Sequence, residues 1–200
     1  MTQWTENPEG GRGRGPAGLV RAWVEVLARP RRFFANGIAP SDQAPGLVFA
    51  MVVVLVEESV RFALVDDVYP VVGGLEYLSA AFWLGVVVLL VAPAAVHLLA
   101  AVQTVLLAPF APDRGGVSET VQILCYATAP CVVAGVPNPY VRSAVGLWAI
   151  GLYVLGLTVR HDLGRQRAAL LGIVPAAVAF GMGFRAFAAI GVLLRKWYII

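Results

Sequence analysis

Tyr77–Leu107 reads YLSAAFWLGVVVLLVAPAAVHLLAAVQTVLL, 31 residues without one Asp, Glu, Lys or Arg. A bilayer core is crossed by roughly 20 apolar helical residues. At 1.5 Å per residue this stretch makes a helix of about 46 Å, so it must tilt, kink at Pro93 or project beyond the lipid. Outward from it lie four more apolar stretches: Ala44–Val65, Val117–Val136, Tyr140–Val159 and Ala168–Leu194. The joints between them hold most of the turn residues and many charges. These are Asp66, Asp67, Pro70, Gly73 and Gly74; then Pro109, Pro112 and Arg114–Gly116; then Pro137-Asn138-Pro139; then Arg160–Arg167. The pattern predicts an all-α, polytopic membrane bundle of five transmembrane helices over residues 44–194. Residues 195–200, with Arg195, Lys196, Trp197 and Tyr198, read as an interfacial anchor.

Composition agrees. Hydrophobic residues make up 59% of the chain and charged residues 14%, against about 45–50% and 25% in soluble domains. Fourteen arginines and one lysine sit mainly at the ends of apolar runs. A nucleic-acid binder would gather them on one face among aromatics, so they read as orientation and headgroup contacts, with no nucleic acid involved. Cys125 and Cys131 lack zinc or redox spacing and read as small apolar fillers. Neither Ser-His-Asp, HExxH nor a P-loop is present. The expectation is therefore no enzyme, no catalytic residue, no metal site and no cofactor.

Met1–Gly15 is polar and glycine-rich, read as a disordered tail without a cleavable signal. Over residues 16–36, Leu19, Val20, Trp23, Val24, Val26 and Leu27 recur at helical spacing, and Pro30 opens a second turn. This segment predicts an interfacial amphipathic helix. Trp23, Phe33 and Phe34 would be wedges in the bilayer, with Arg29, Arg31 and Arg32 on anionic lipid headgroups. The competing reading packs it on protein.

With the N-terminus inside, ten Lys and Arg residues flank the spans on the inner side and three on the outer. That asymmetry predicts a multi-pass cell-membrane protein, N-terminus cytoplasmic and C-terminus outside.

Glu57, Glu58 and Arg61 interrupt the first span. Each ionisable residue at a helix centre costs roughly 2.5–3.5 kcal/mol, while an aliphatic one returns about 0.3–0.6. The span therefore needs compensation. Arg61 is four residues from Glu57 and three from Glu58, so local bridges are available, yet one carboxylate is left over. Glu58 lies eight residues from Asp66, and Arg185 ten from Arg195. At 1.5 Å per residue the depths are about 12 and 15 Å, so span one is expected to pack on span five through Glu57 or Glu58 and Arg185. The same charges would serve the rival function, a small-solute or ion transporter. His97, near the inner end of its span, and His161, in a joint, read as structural.

The order of parts resembles the Yip family, the Ypt/Rab-interacting five-span membrane proteins, in their prokaryotic, archaeal-type form. The resemblance is carried by Arg29-Pro30-Arg31-Arg32-Phe33-Phe34 ahead of span one and Tyr126-Ala127-Thr128-Ala129-Pro130 in span three. The Pro137 turn, Trp148, Leu155-Gly156-Leu157, His161, Ala168 and Pro175 follow in order. It implies a non-enzymatic membrane protein with a cytoplasmic N-terminus; eukaryotic relatives take part in vesicle traffic and bind prenylated Rab GTPases. The acidic-aromatic DLYGP-type motif of those relatives is missing, and Asp67-Val68-Tyr69-Pro70 only echoes it. The function expected is membrane organisation, a scaffold at the inner leaflet. Its partners would be the lipid bilayer and a membrane protein or second copy of the chain.

Overall fold

The computed structural model describes residues 3–6, 12–112 and 114–199. Within the stretch read as a disordered tail, Gln3–Glu6 (β1) pairs antiparallel with Arg12–Arg14 (β2), in an irregular register. The remaining regular structure among the described residues is helical.

Five apolar helical rods form the bundle. The first is α3 (Ala44–Leu64), closed where Val65 turns extended. The second runs as α4 (Glu76–Val86), a π-helical turn (Val87–Val91) and α5 (Ala92–Leu107). Pro93 accounts for the π-turn. It lacks an N–H and crowds the carbonyl four residues back, and a widened turn relieves both. The third rod is α6 (Val117–Ala127), tightened into a 3₁₀ turn (Ala129–Val133) around Pro130. The fourth, α7 (Pro139–Arg160), starts with Asn138 accepting from the Tyr140 and Val141 amides and Pro139 at the first helical position, both strong start signals.

The fifth departs from the single helix expected over 168–194. It is α8 (Arg165–Ala176) with Pro175 inside, a π-helical stretch (Ala177–Gly183), a break, and α9 (Ala186–Lys196). At the break Arg185 has φ +61°, a left-handed conformation that is uncommon outside glycine, Asn and Asp.

Three of these rods are long and apolar enough to cross a membrane: Glu76–Leu107, Pro139–Arg160 and Arg165–Gly183. Val117–Val133 is a shorter apolar helix, and α3 has the length, 21 residues, but carries three charges. Five crossings are compatible with this arrangement. On the second rod Leu89, Leu90, Leu98 and Val105 are each more than 60% exposed. That much continuous apolar surface belongs against hydrocarbon.

Helix α7 stands at the centre, packed by the short helix Pro30–Asn36, α6, α8 and α9. Tyr126, Tyr153, Phe49 and Phe180 fill the core around it. Gly156 lets α7 close on Phe34 and Ile123, since a Cβ there would overlap them.

The N-terminal segment corrects one expectation. α1 (Gly15–Ala28) and α2 (Pro30–Asn36) are docked on the bundle of this same chain, a placement that neither the lipid reading nor the protein-partner reading contains. Phe33 and Phe34 are 2% and 0% exposed; Phe33 meets Tyr126 edge-on at 4.7 Å. Half-buried Trp23 donates its indole N–H to the Ala129 carbonyl at 2.8 Å. Phe33 and Phe34, expected as lipid wedges, are therefore buried against protein instead. Gln122 holds the linker after α2, exchanging hydrogen bonds with both backbone groups of Ala39 at 3.0 and 2.6 Å.

Candidate functional site

Four charges that belong to three places in the sequence meet inside the bundle, near the end of the third rod and the start of α7. Glu57 and Glu58 occupy the last third of α3, Arg61 the next turn, and Arg185 the break in the fifth rod. Arg185 donates through Nη1 to Glu57 Oε1 at 2.7 Å and through Nη2 to Glu58 Oε1. Arg61 Nη1 reaches Glu58 Oε2 at 2.6 Å and Nη2 the Val68 carbonyl at 3.4 Å. Glu57 and Glu58 are 1% and 6% exposed. The i,i+3 pair forms from helix geometry alone; the two long-range bonds need the left-handed turn at Arg185 to aim its guanidinium back across the bundle. Two carboxylates face two guanidiniums, so the quartet is neutral as a whole. A buried charge left alone would be costly, and each one here has a hydrogen-bonded opposite.

The third rod approaches the quartet through Gly135. A Cβ there would collide with the Glu57 carbonyl, so only glycine permits this proximity. Arg142 of α7 caps the same turn, donating Nε to Ala134 O at 2.8 Å and Nη2 to Gly135 O at 3.2 Å. These carbonyls end a 3₁₀ turn and would otherwise lack donors. Spacing alone does not show the partners of Arg142, because a charge at a helix start interrupts no apolar run.

Beside the quartet lies a cleft of about 380 Å³. Its walls are Ala50 and Val54 of α3, Val87 to Leu99 of the second rod, and Val178 to Phe184 of the fifth. Glu57, Glu58 and Thr128 are its polar residues. Both π-helical segments border it.

A second cluster sits where α6 begins and α7 ends. Arg160 Nη2 meets Glu119 Oε1 at 2.5 Å, and Arg160 Nη1 the Ala35 carbonyl of α2 at 3.4 Å. His161, 3% exposed, places Nε2 3.4 Å from Thr120 Oγ1. Burial pushes the His161 imidazole down to about 4, helped by Arg160 and Arg114 and opposed by Glu119. The pairing Glu119–Arg160 was not foreseen, because neither residue interrupts an apolar run.

Of the sequence-nominated residues, Glu57, Glu58, Arg61 and Arg185 come together. Arg29, Arg31 and Arg32 remain exposed on α2 and its N-terminal joint, away from the quartet, while Trp23, Phe33 and Phe34 turn into protein. Among the described residues no group of His, Cys, Asp or Glu is arranged to hold a metal ion.

Compared with known families, the chain matches the Yip1 domain over residues 24–186. No curated protein and no solved structure matches it.

Proposed function

The chain belongs to the Yip1 domain family of membrane proteins, and from that premise we propose that it is a non-enzymatic scaffold of the cell membrane. Its rigid, docked N-terminal segment would present a basic edge at the inner leaflet. The observation that carries this reading is the split within residues 29–34: Phe33 and Phe34 are locked into the core while Arg29, Arg31 and Arg32 stay exposed. The aromatics fix the segment, and the arginines are left free for anionic headgroups or an acidic partner surface. The N-terminus is taken as cytoplasmic and the C-terminus as outside, as the distribution of basic residues favours.

The test uses the full-length protein in nanodiscs of mixed anionic and zwitterionic lipid. Replacing Arg29, Arg31 and Arg32 together by Gln lowers the ratio of anionic to zwitterionic lipid retained on the protein, with the fold unchanged. An unaltered ratio removes the headgroup part of the reading. The transporter reading is less well supported, because the intramembrane charges satisfy one another and the adjoining cleft is apolar. Solute flux in proteoliposomes that vanishes in Glu58→Gln would reverse that preference.

A further inference from the structure

We propose that the cleft beside Glu57 and Glu58 binds a hydroxyl-bearing neutral lipid of the surrounding bilayer, taking its hydrocarbon chain between the second and fifth rods. This inference needs only the membrane placement, and is independent of the scaffold reading.

The cleft opens sideways. Val91 and Met182 line it and are 52% and 67% exposed, on rods whose outer faces are apolar, so the medium at its mouth is hydrocarbon rather than water. Its volume of about 380 Å³ falls within the range of small-molecule pockets, about 300–1,000 Å³, and is too small for a protein element. From Val87 to Leu99 it follows twelve residues of helix, about 18 Å, which suits an extended chain. Both helix walls widen into π-turns where they border it, Val87–Val91 and Ala177–Gly183. Such distortions in otherwise regular helices often mark functional sites.

The polar end selects the headgroup. Glu57 and Glu58 line the cleft, whereas Arg61 and Arg185 do not. Both arginines direct their donors at the two carboxylates, with one further bond to Val68 O. Thr128 spends its hydroxyl proton on the Cys125 carbonyl at 2.6 Å. The wall therefore offers acceptors and no donor. An ammonium would add a cation near three guanidiniums, those of Arg61, Arg185 and Arg142, and a carboxylate an anion beside two others. A hydroxyl matches both constraints: one donor, no charge. A phospholipid headgroup is excluded at this depth by the cost of desolvating its charges.

The experiment uses the full chain in phosphatidylcholine nanodiscs with three photoreactive C16 probes of equal length: an alcohol, an alkane and an amine. The alcohol is expected to label the cleft-lining positions Val87, Val91, Ala95 and Leu99 of the second rod and Val178 and Met182 of the fifth. Its labelling is competed by unlabelled 1-hexadecanol and exceeds that of the other two by about tenfold, the worth of one charge-assisted hydrogen bond. Ala179→Trp, which fills the cleft, abolishes the labelling. Equal labelling by all three probes overturns the proposal, as does spread over the outward face at Leu89, Leu98 and Val105. If Ala179→Trp does not fold, competition on the unaltered protein decides: labelling that excess hexadecanol fails to displace overturns it.

Discussion

The two charge clusters of this molecule follow opposite logics. The quartet joins α3 to the break before α9, and its members interrupt long apolar helices. The second cluster, of Glu119, Arg160 and His161, joins α6 to α7 and α2 at helix ends. Both contain buried carboxylates: Glu58 is 6% and Glu119 7% exposed. The difference is what each group could do without its partner. A charge in the first or last turn of its helix returns to water by a small movement; Glu58, eight residues from Asp66, and Arg185, ten from Arg195, need a larger one. Opposite charge is therefore a condition of insertion in one cluster and a refinement of packing in the other.

The largest effect expected from breaking that contrast is at Arg185. Arg185→Met removes the guanidinium that hydrogen-bonds Glu57 and leaves the two carboxylates with Arg61 as their one hydrogen-bonded cation among the described residues. Removing one partner of a buried pair costs about 3–5 kcal/mol, so the variant should fail to yield monodisperse protein in detergent, or melt far below the parent. Restoring the cation as Arg185→Lys recovers part of the loss, since an ammonium cannot span both carboxylates in a fork. A melting temperature unchanged in Arg185→Met would show that the quartet does not hold the bundle.

At the second cluster the pH response is the sharper probe. His161 is held neutral, its folded value near 4 against about 6.5 in the unfolded chain. Between those values the unfolded state binds more protons. Stability is thus complete above about pH 6.5 and falls as pH drops towards 4, by an amount on the order of 3 kcal/mol. Melting at pH 7.5 and 4.5 with the parent and His161→Gln isolates this term: the variant should lose less on acidification. An identical pH slope in both would remove His161 as the cause.

How far the sequence reached follows the same divide. Glu57, Glu58 and Arg61 were legible because charge inside an apolar run has a steep cost, and depth counting then led to Arg185. The spans were legible for the same reason, as lengths of uncharged helix. The left-handed break at Arg185 was not, since no glycine or proline stands at that position. The docking of Phe33 and Phe34 was also hidden. An amphipathic face states that something apolar covers it and is silent on whether that is lipid or protein. Glu119–Arg160 left no trace, because charges at helix ends ask for no partner.

Gly135 tests the quartet through the backbone rather than through charge. Gly135→Ala forces its methyl against the Glu57 carbonyl and must push the end of the third rod away from α3. Overpacking of this kind costs about 1–3 kcal/mol. The variant should melt lower, while Gly151→Ala, where a Cβ meets open space, should not. Equal melting of the two would mean that this close approach is soft.

The smallest effect belongs to Glu119→Gln. The amide keeps the shape of the carboxylate and an oxygen for Arg160, so only the ionic part of the 2.5 Å contact is lost. Arg160 is 20% exposed in this pair and retains the Ala35 carbonyl, so water and α2 take up part of the difference. A loss of about 1 kcal/mol is expected, nearer a surface bridge than a buried one. The equivalent change in the quartet, Glu58→Gln, weakens two ion pairs instead of one and should cost more in the same melting assay. Were the two losses equal, depth would not be what separates the clusters, and the neutrality of the quartet would lose its standing as a requirement of insertion.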